Sequence, residues 1–166
     1  MKIRILFLLV FVFSIQVSAQ KVFSLKSPNS EKLKKEFIKS NSQMNTILTY
    51  LEANYKATTQ KTNVLKDSEM GGVECGFTKK FEFGIQYTYH NCGEAAPMKE
   101  EIVFPKTKII ELKKWVEKIY KSEPDSNQNI WYPNKNEYGP KDKEVGCYYK
   151  IKQTKGKSII ETFCGC

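Results

Sequence analysis

The chain has 166 residues, with 27 Lys and Arg against 18 Asp and Glu (formal net charge +9), five cysteines and one histidine, His90. That length holds one domain of ordinary size, and 40% hydrophobic with 27% charged residues excludes both a disordered polyelectrolyte and a multi-span membrane protein. A single histidine excludes every mechanism and metal site that needs two.

Met1-Lys2-Ile3-Arg4 precedes the apolar run Ile5 to Phe13, and Val17 and Ala19 stand three and one residues before the expected cut at Gln20. A basic start, a short apolar stretch and a small-residue site form a secretory signal peptide. Residues 1–19 are therefore expected to be removed and the mature protein exported, to a periplasm or to the extracellular space. A spanning helix needs about 20 apolar residues, more than this run supplies, so no integral membrane association is expected after cleavage. Loss of Lys2 and Arg4 leaves 25 basic against 18 acidic groups, or +7. Arg4 is the sole arginine. The mature chain therefore meets anions only with lysine, never with the planar fork that grips phosphate at two points, which argues against nucleic acid as a partner.

Residues 20–29 read as an N-terminal arm and 30–166 as the domain. Ser27 and Pro28 look like a helix cap and first helical residue, with Glu31 in the first turn. Leu33, Phe37, Met44, Ile47, Leu48, Leu51 and Tyr55 recur at helical spacing, and Ser40-Asn41-Ser42 is placed to split that helix. Lys56 to Met70 is polar and reads as a loop, with a short strand or turn near Val64-Leu65. After Gly71-Gly72 the period becomes two: Val73, Cys75, Phe77, Phe81, Phe83, Ile85, Tyr87 and Tyr89 share one parity, the mark of a half-buried strand. Unbroken, it would run for roughly 60 Å, so a break is expected at Gly84 or at Lys79-Lys80. A short strand, Glu100 to Phe104, ends at Pro105. A second helix is predicted from Lys108 to Lys121, with Ile109, Leu112, Val116 and Ile119 inside and Trp115 and Tyr120 as core aromatics.

Residues 122–144 form a long turn-rich segment, of a kind often functional. Trp131, Tyr132 and Tyr138 on this polar stretch are of the type enriched at interaction hot spots, which makes them candidate partner-binding residues. The competing reading is a short strand or flap that covers a sheet edge.

The C-terminus reads as a hairpin, Val145 to Gln153 and Ser158 to Cys164. With Lys155-Gly156 as a two-residue turn, residues whose numbers sum to 311 face each other: Lys150 with Glu161, Tyr148 with Phe163, Cys147 with Cys164. The cysteines fall at a non-hydrogen-bonded pair, where alpha carbons approach to about 4.5 Å, within disulfide reach. A bridge between Cys147 and Cys164 is expected, as exported thiols are usually oxidised. The pairing of Cys75, Cys92 and Cys166 stays open.

His90-Asn91-Cys92 and Cys164-Gly165-Cys166 offer the sharpest alternative. Each pair presents two soft ligands on one strand face, so His90, Cys92, Cys164 and Cys166 are a candidate metal set, and Cys164 with Cys166 a candidate redox dithiol. No nucleophile elbow, phosphate-binding glycine loop or zinc-protease helix is present, so catalysis is not expected and no cofactor is implied. The fold expected is a single α+β domain, an antiparallel sheet with two main helices packed on one face and a C-terminal β-hairpin. The function expected is binding, of another protein or an envelope component.

Overall fold

The computed structural model describes residues 22–40, 45–69, 71–93, 97–122, 129–143 and 145–165; the expected signal peptide, residues 1–19, lies outside them. Three helices are found among the described residues, α1 (Ser30–Lys39), α2 (Thr46–Asn54) and α3 (Ile109–Tyr120), with eight strands. These are β1 (Thr62–Asp67), β2 (Val73–Lys80), β3 (Gln86–His90), β4 (Met98–Pro105), β5 (Asn129–Trp131), β6 (Glu137–Pro140), β7 (Gly146–Gln153) and β8 (Lys157–Gly165). They form one sheet in the order β1-β2-β3-β4-β8-β7-β6-β5, with every neighbouring pair antiparallel. The fold is the expected α+β domain, and the C-terminal hairpin is β7–β8.

The order has an internal logic. A helix followed by four strands occurs twice, α2 before β1–β4 and α3 before β5–β8. The two sets meet at β4 and β8, and the second runs outward from that seam in the mirror of the order in which the first approached it. In strand order the chain is thus two αβ4 units set outward from the β4–β8 seam.

The helices begin where a side chain can satisfy their first amides. Asn29 accepts from Lys32 N at 3.0 Å and Asn45 from Leu48 N at 2.7 Å, each meeting a donor that the first turn leaves without an intrahelical acceptor. The first helix thus starts two residues later than Ser27-Pro28 suggested. The arm before it is held extended: Lys26 N donates to the Tyr55 hydroxyl at 3.0 Å, and Tyr50 donates to Lys26 O. Ser27 instead accepts from Lys118 Nζ on α3 at 2.7 Å.

In the central strands one parity is buried. Tyr87, Ile102, Phe104, Ile160 and Tyr149 are at most 1% exposed, and against them α2 sets Ile47, Tyr50 and Leu51, while α3 sets Leu112, Trp115, Val116 and Ile119. These side chains form one core cluster, each contributing on the order of 1.5–3 kcal/mol by burial. The break in the long alternating run falls at a tight turn, Glu82–Gly84, where Phe83 has φ 62° and Gly84 φ 73°. Glycine tolerates that conformation and phenylalanine rarely does. The Phe83 ring packs against Phe23 of the arm at 5.9 Å, an aromatic contact that offsets part of the cost.

Both sheet edges come from segments that read mainly as loops. The short strand expected near Val64-Leu65 extends to a six-residue edge strand, β1, whose residues Thr62 to Lys66 are all exposed; with neither face covered it has little alternation to read. The segment 122–144 contributes the opposite edge, β5 and β6, in keeping with the short-strand reading of that stretch.

Candidate binding site on the uncovered sheet face

The three helices pack with one face of the sheet. The residues of opposite parity make the other face, and strand register places them in cross-strand rows. One row crosses all eight strands: Leu65, Gly76, His90, Lys99, Phe163, Tyr148, Gly139 and Ile130. At about 4.8 Å per strand it runs for about 34 Å. Leu65, Ile130 and Phe163 are 46%, 38% and 37% exposed, with Phe163 beside Tyr148 near the centre of the row and Leu65 and Ile130 at its two ends.

The two glycines of the row lie in β2 and β6, the second strand from either edge. Both make room for a neighbour. A methyl group on Gly76 would stand 3.1 Å from Leu65 Cδ1, and one on Gly139 would stand 2.6 Å from the Tyr148 ring and 3.0 Å from the Tyr132 hydroxyl. Their lack of a side chain lets Leu65, Tyr148 and Tyr132 lie flat on the sheet.

A second row on the same face is polar: Thr78, Thr88, Glu101, Glu161, Lys150 and Glu137. Lys150 stands opposite Glu161 as the hairpin arithmetic requires, yet its ammonium turns to Glu137 of β6 at 2.8 Å. That hydrogen bond holds the Glu137 carboxyl below its usual range. Glu161 pairs instead with Lys152. Lys99 remains in the apolar row between His90 and Phe163.

Four of the five cysteines are joined in two disulfides. Cys147 faces Cys164 in the ladder and is bonded to it, with alpha carbons 4.1 Å apart, and Cys75 is bonded to Cys92 at 5.0 Å. The metal and dithiol candidates are not brought together as free donors among the described residues: Cys92 and Cys164 each belong to a different bridge. Cys166 lies outside the described residues, and His90 is exposed on the open face at the end of β3. Among the described residues, no three His, Cys, Asp or Glu side chains are placed to hold a metal ion.

Trp131, Tyr132 and Tyr138 are not brought together on one surface. Trp131 and Tyr138 face inward, ring to ring at 5.0 Å. Trp131 Nε1 donates to Glu117 of α3 at 2.7 Å, with Lys113 Nζ over its ring at 4.7 Å. Tyr138 is 7% exposed and meets Tyr120 at 5.5 Å, and burial pushes its hydroxyl pKa up to about 12. These two fasten β5–β6 to α3, a structural duty. Tyr132, one residue beyond Trp131, lies on the other side, where its hydroxyl donates to Pro140 O at 2.7 Å beside Tyr148.

Phe163, Tyr148, Lys99, Leu65 and Ile130 had not been singled out as site residues. The hairpin register had already placed Tyr148 opposite Phe163, away from the inward residues Tyr149, Ile151, Ile160 and Thr162. Their alignment with Lys99 and His90 depends on β8 pairing with β4, which no local pattern encodes. Compared with known proteins, the chain matches no family model, no curated protein and no solved structure.

Proposed function

We propose that this is an exported binding protein without catalytic activity of its own, and that it engages a partner protein through the uncovered sheet face. The observation that carries the reading is the row from Leu65 to Ile130. It combines exposed apolar and aromatic groups with Lys99 and flanking ion pairs, the mixture of apolar anchors and polar rim found at protein interfaces. Its length suits the footprint of a standard interface, about 800 Å² per partner, better than a small molecule. Export is supported by two disulfides, which are compatible with an oxidising compartment, and by the leader-like residues 1–19.

The test is capture. Oxidised mature protein is immobilised, exposed to envelope and culture-medium fractions of the producing cell, and compared with two variants. Phe163→Asp, on the open face, is expected to lose the captured species. Ile110→Asp, which alters a side chain 58% exposed on α3, is expected to keep it. Equal capture by both variants, or capture of lipid or polysaccharide in place of protein, would count against the reading.

A further inference from the structure

On the helix side of the sheet, α2 is joined to the strands by a buried polar contact. Glu100 of β4 is 6% exposed. Its Oε1 accepts from the Tyr87 hydroxyl at 2.5 Å and from Asn45 Nδ2 at 2.6 Å. Asn45 Nδ2 also reaches the Tyr87 hydroxyl at 2.7 Å, while Asn45 Oδ1 caps α2 by accepting from Leu48 N. One side chain therefore both starts the helix and ties it to the carboxyl.

We propose that Glu100, Asn45 and Tyr87 form a pH-sensitive latch, which holds the start of α2 on the sheet in mild acid and loosens it as pH rises. The surroundings of the carboxyl favour its neutral form. Asn45 approaches from α2 and Tyr87 from β3, Tyr89 lies opposite in the β3 ladder, and Thr162 lies opposite in β8. None of these is a cation. Lys99 and Glu101, its chain neighbours, lie on the opposite face, and Lys79, which faces α2 from β2, is engaged with Glu52. The Thr162 hydroxyl is buried and makes no hydrogen bond, so it gives the ionised carboxyl no donor either. Burial accordingly holds the Glu100 carboxyl above its usual range, against the opposing effect of its two hydrogen bonds.

The sign follows from linkage. With the folded value raised, this contribution to stability is full below the ordinary carboxylate range and is lost as pH rises through the raised value, because opening then hydrates a charge that folding leaves unpaired. The element released is not peripheral: α2 carries Tyr50 and Leu51 in the core, and Tyr50 holds the arm at Lys26.

Hydrogen exchange of the full mature chain tests this, from pH 4 to pH 8 with correction for intrinsic exchange rates. Opening of residues 45–54 is expected to increase several-fold across that range, while the β7–β8 hairpin stays level. Glu100→Gln, which keeps an acceptor but cannot ionise, is expected to abolish the rise. Asn45→Ser keeps a capping oxygen but removes an amide whose hydrogen bond favours the ionised carboxyl, and is expected to keep or steepen the rise; this variant decides the matter if Glu100→Gln does not fold. A level wild-type profile, an equal rise in the hairpin, a rise retained in Glu100→Gln or a rise lost in Asn45→Ser would overturn the latch.

Discussion

Replacing Trp115 with alanine is expected to lower stability by about 3–5 kcal/mol, the range for deleting a large buried aromatic. Trp115 is 1% exposed and is among the largest fully buried side chains. It meets Tyr50 of α2 edge-on at 5.3 Å and Phe104 of β4 at 5.7 Å, so α3, α2 and the central strand all close around it. The truncation removes both transfer energy and the contacts of three elements that cannot collapse independently into the space. A domain has only about 5–15 kcal/mol to lose, and at roughly 2–4 °C per kcal/mol for this size the midpoint should fall by roughly 6–20 °C. Thermal unfolding followed by circular dichroism measures it, with Ile110→Asp as a surface reference expected to stay within about 0.5 kcal/mol. A Trp115→Ala midpoint close to wild type would show that the three elements do not share one core.

The double replacement Cys147→Ser with Cys164→Ser is expected to cost about 3 kcal/mol. The bridge closes a sequence separation of 17 residues, and in the chain-entropy account a loop of that size constrains the unfolded ensemble by about this amount. The native hairpin has a full ladder from Gly146 opposite Gly165 to Gln153 opposite Ser158, so its folded geometry should survive. The loss is then expected in the free energy of urea unfolding, together with a larger m-value as the unlinked denatured state expands. Loss of the β7–β8 amide protection pattern in the folded variant would contradict this account.

The parts of the fold that could be read from sequence are those where one face is buried and a turn is local. α3 shows its apolar stripe because Leu112, Val116 and Ile119 all reach the core. β7–β8 could be read to the residue because Lys155-Gly156 fixes the register, and the pairs Lys150 with Glu161, Tyr148 with Phe163 and Cys147 with Cys164 are those found. β1 could be read only as a short strand or turn near Val64-Leu65, because at the edge of the sheet Thr62 to Lys66 are all exposed and nothing alternates. The first helix was misplaced by two residues because Ser27 and Asn29 are both competent caps, and the choice between them is made by the arm's contacts with Tyr50 and Tyr55.

The site was less legible than the fold. Aromatics on a polar loop pointed to Trp131, Tyr132 and Tyr138, but period two in short strands sends alternate residues to opposite faces, and two of the three belong to the core. The ligand pattern His90, Cys92, Cys164 and Cys166 was undone by pairing: Cys92 is drawn to Cys75 within β2–β3, and Cys164 to its hairpin neighbour. The row from Leu65 to Ile130 is assembled by long-range register, above all the β4–β8 seam, which joins residues of the two αβ4 units.

The central claim is that this row is the binding surface. It is tested most directly by the affinity of the captured partner for the oxidised mature protein and for Phe163→Asp, measured side by side by calorimetry. A central apolar anchor is worth about 2 kcal/mol or more when lost, so the expected result is a Kd weakened by at least about thirtyfold at unchanged fold, with Ile110→Asp binding as wild type. A Phe163→Asp protein that is folded and binds with wild-type affinity would contradict it.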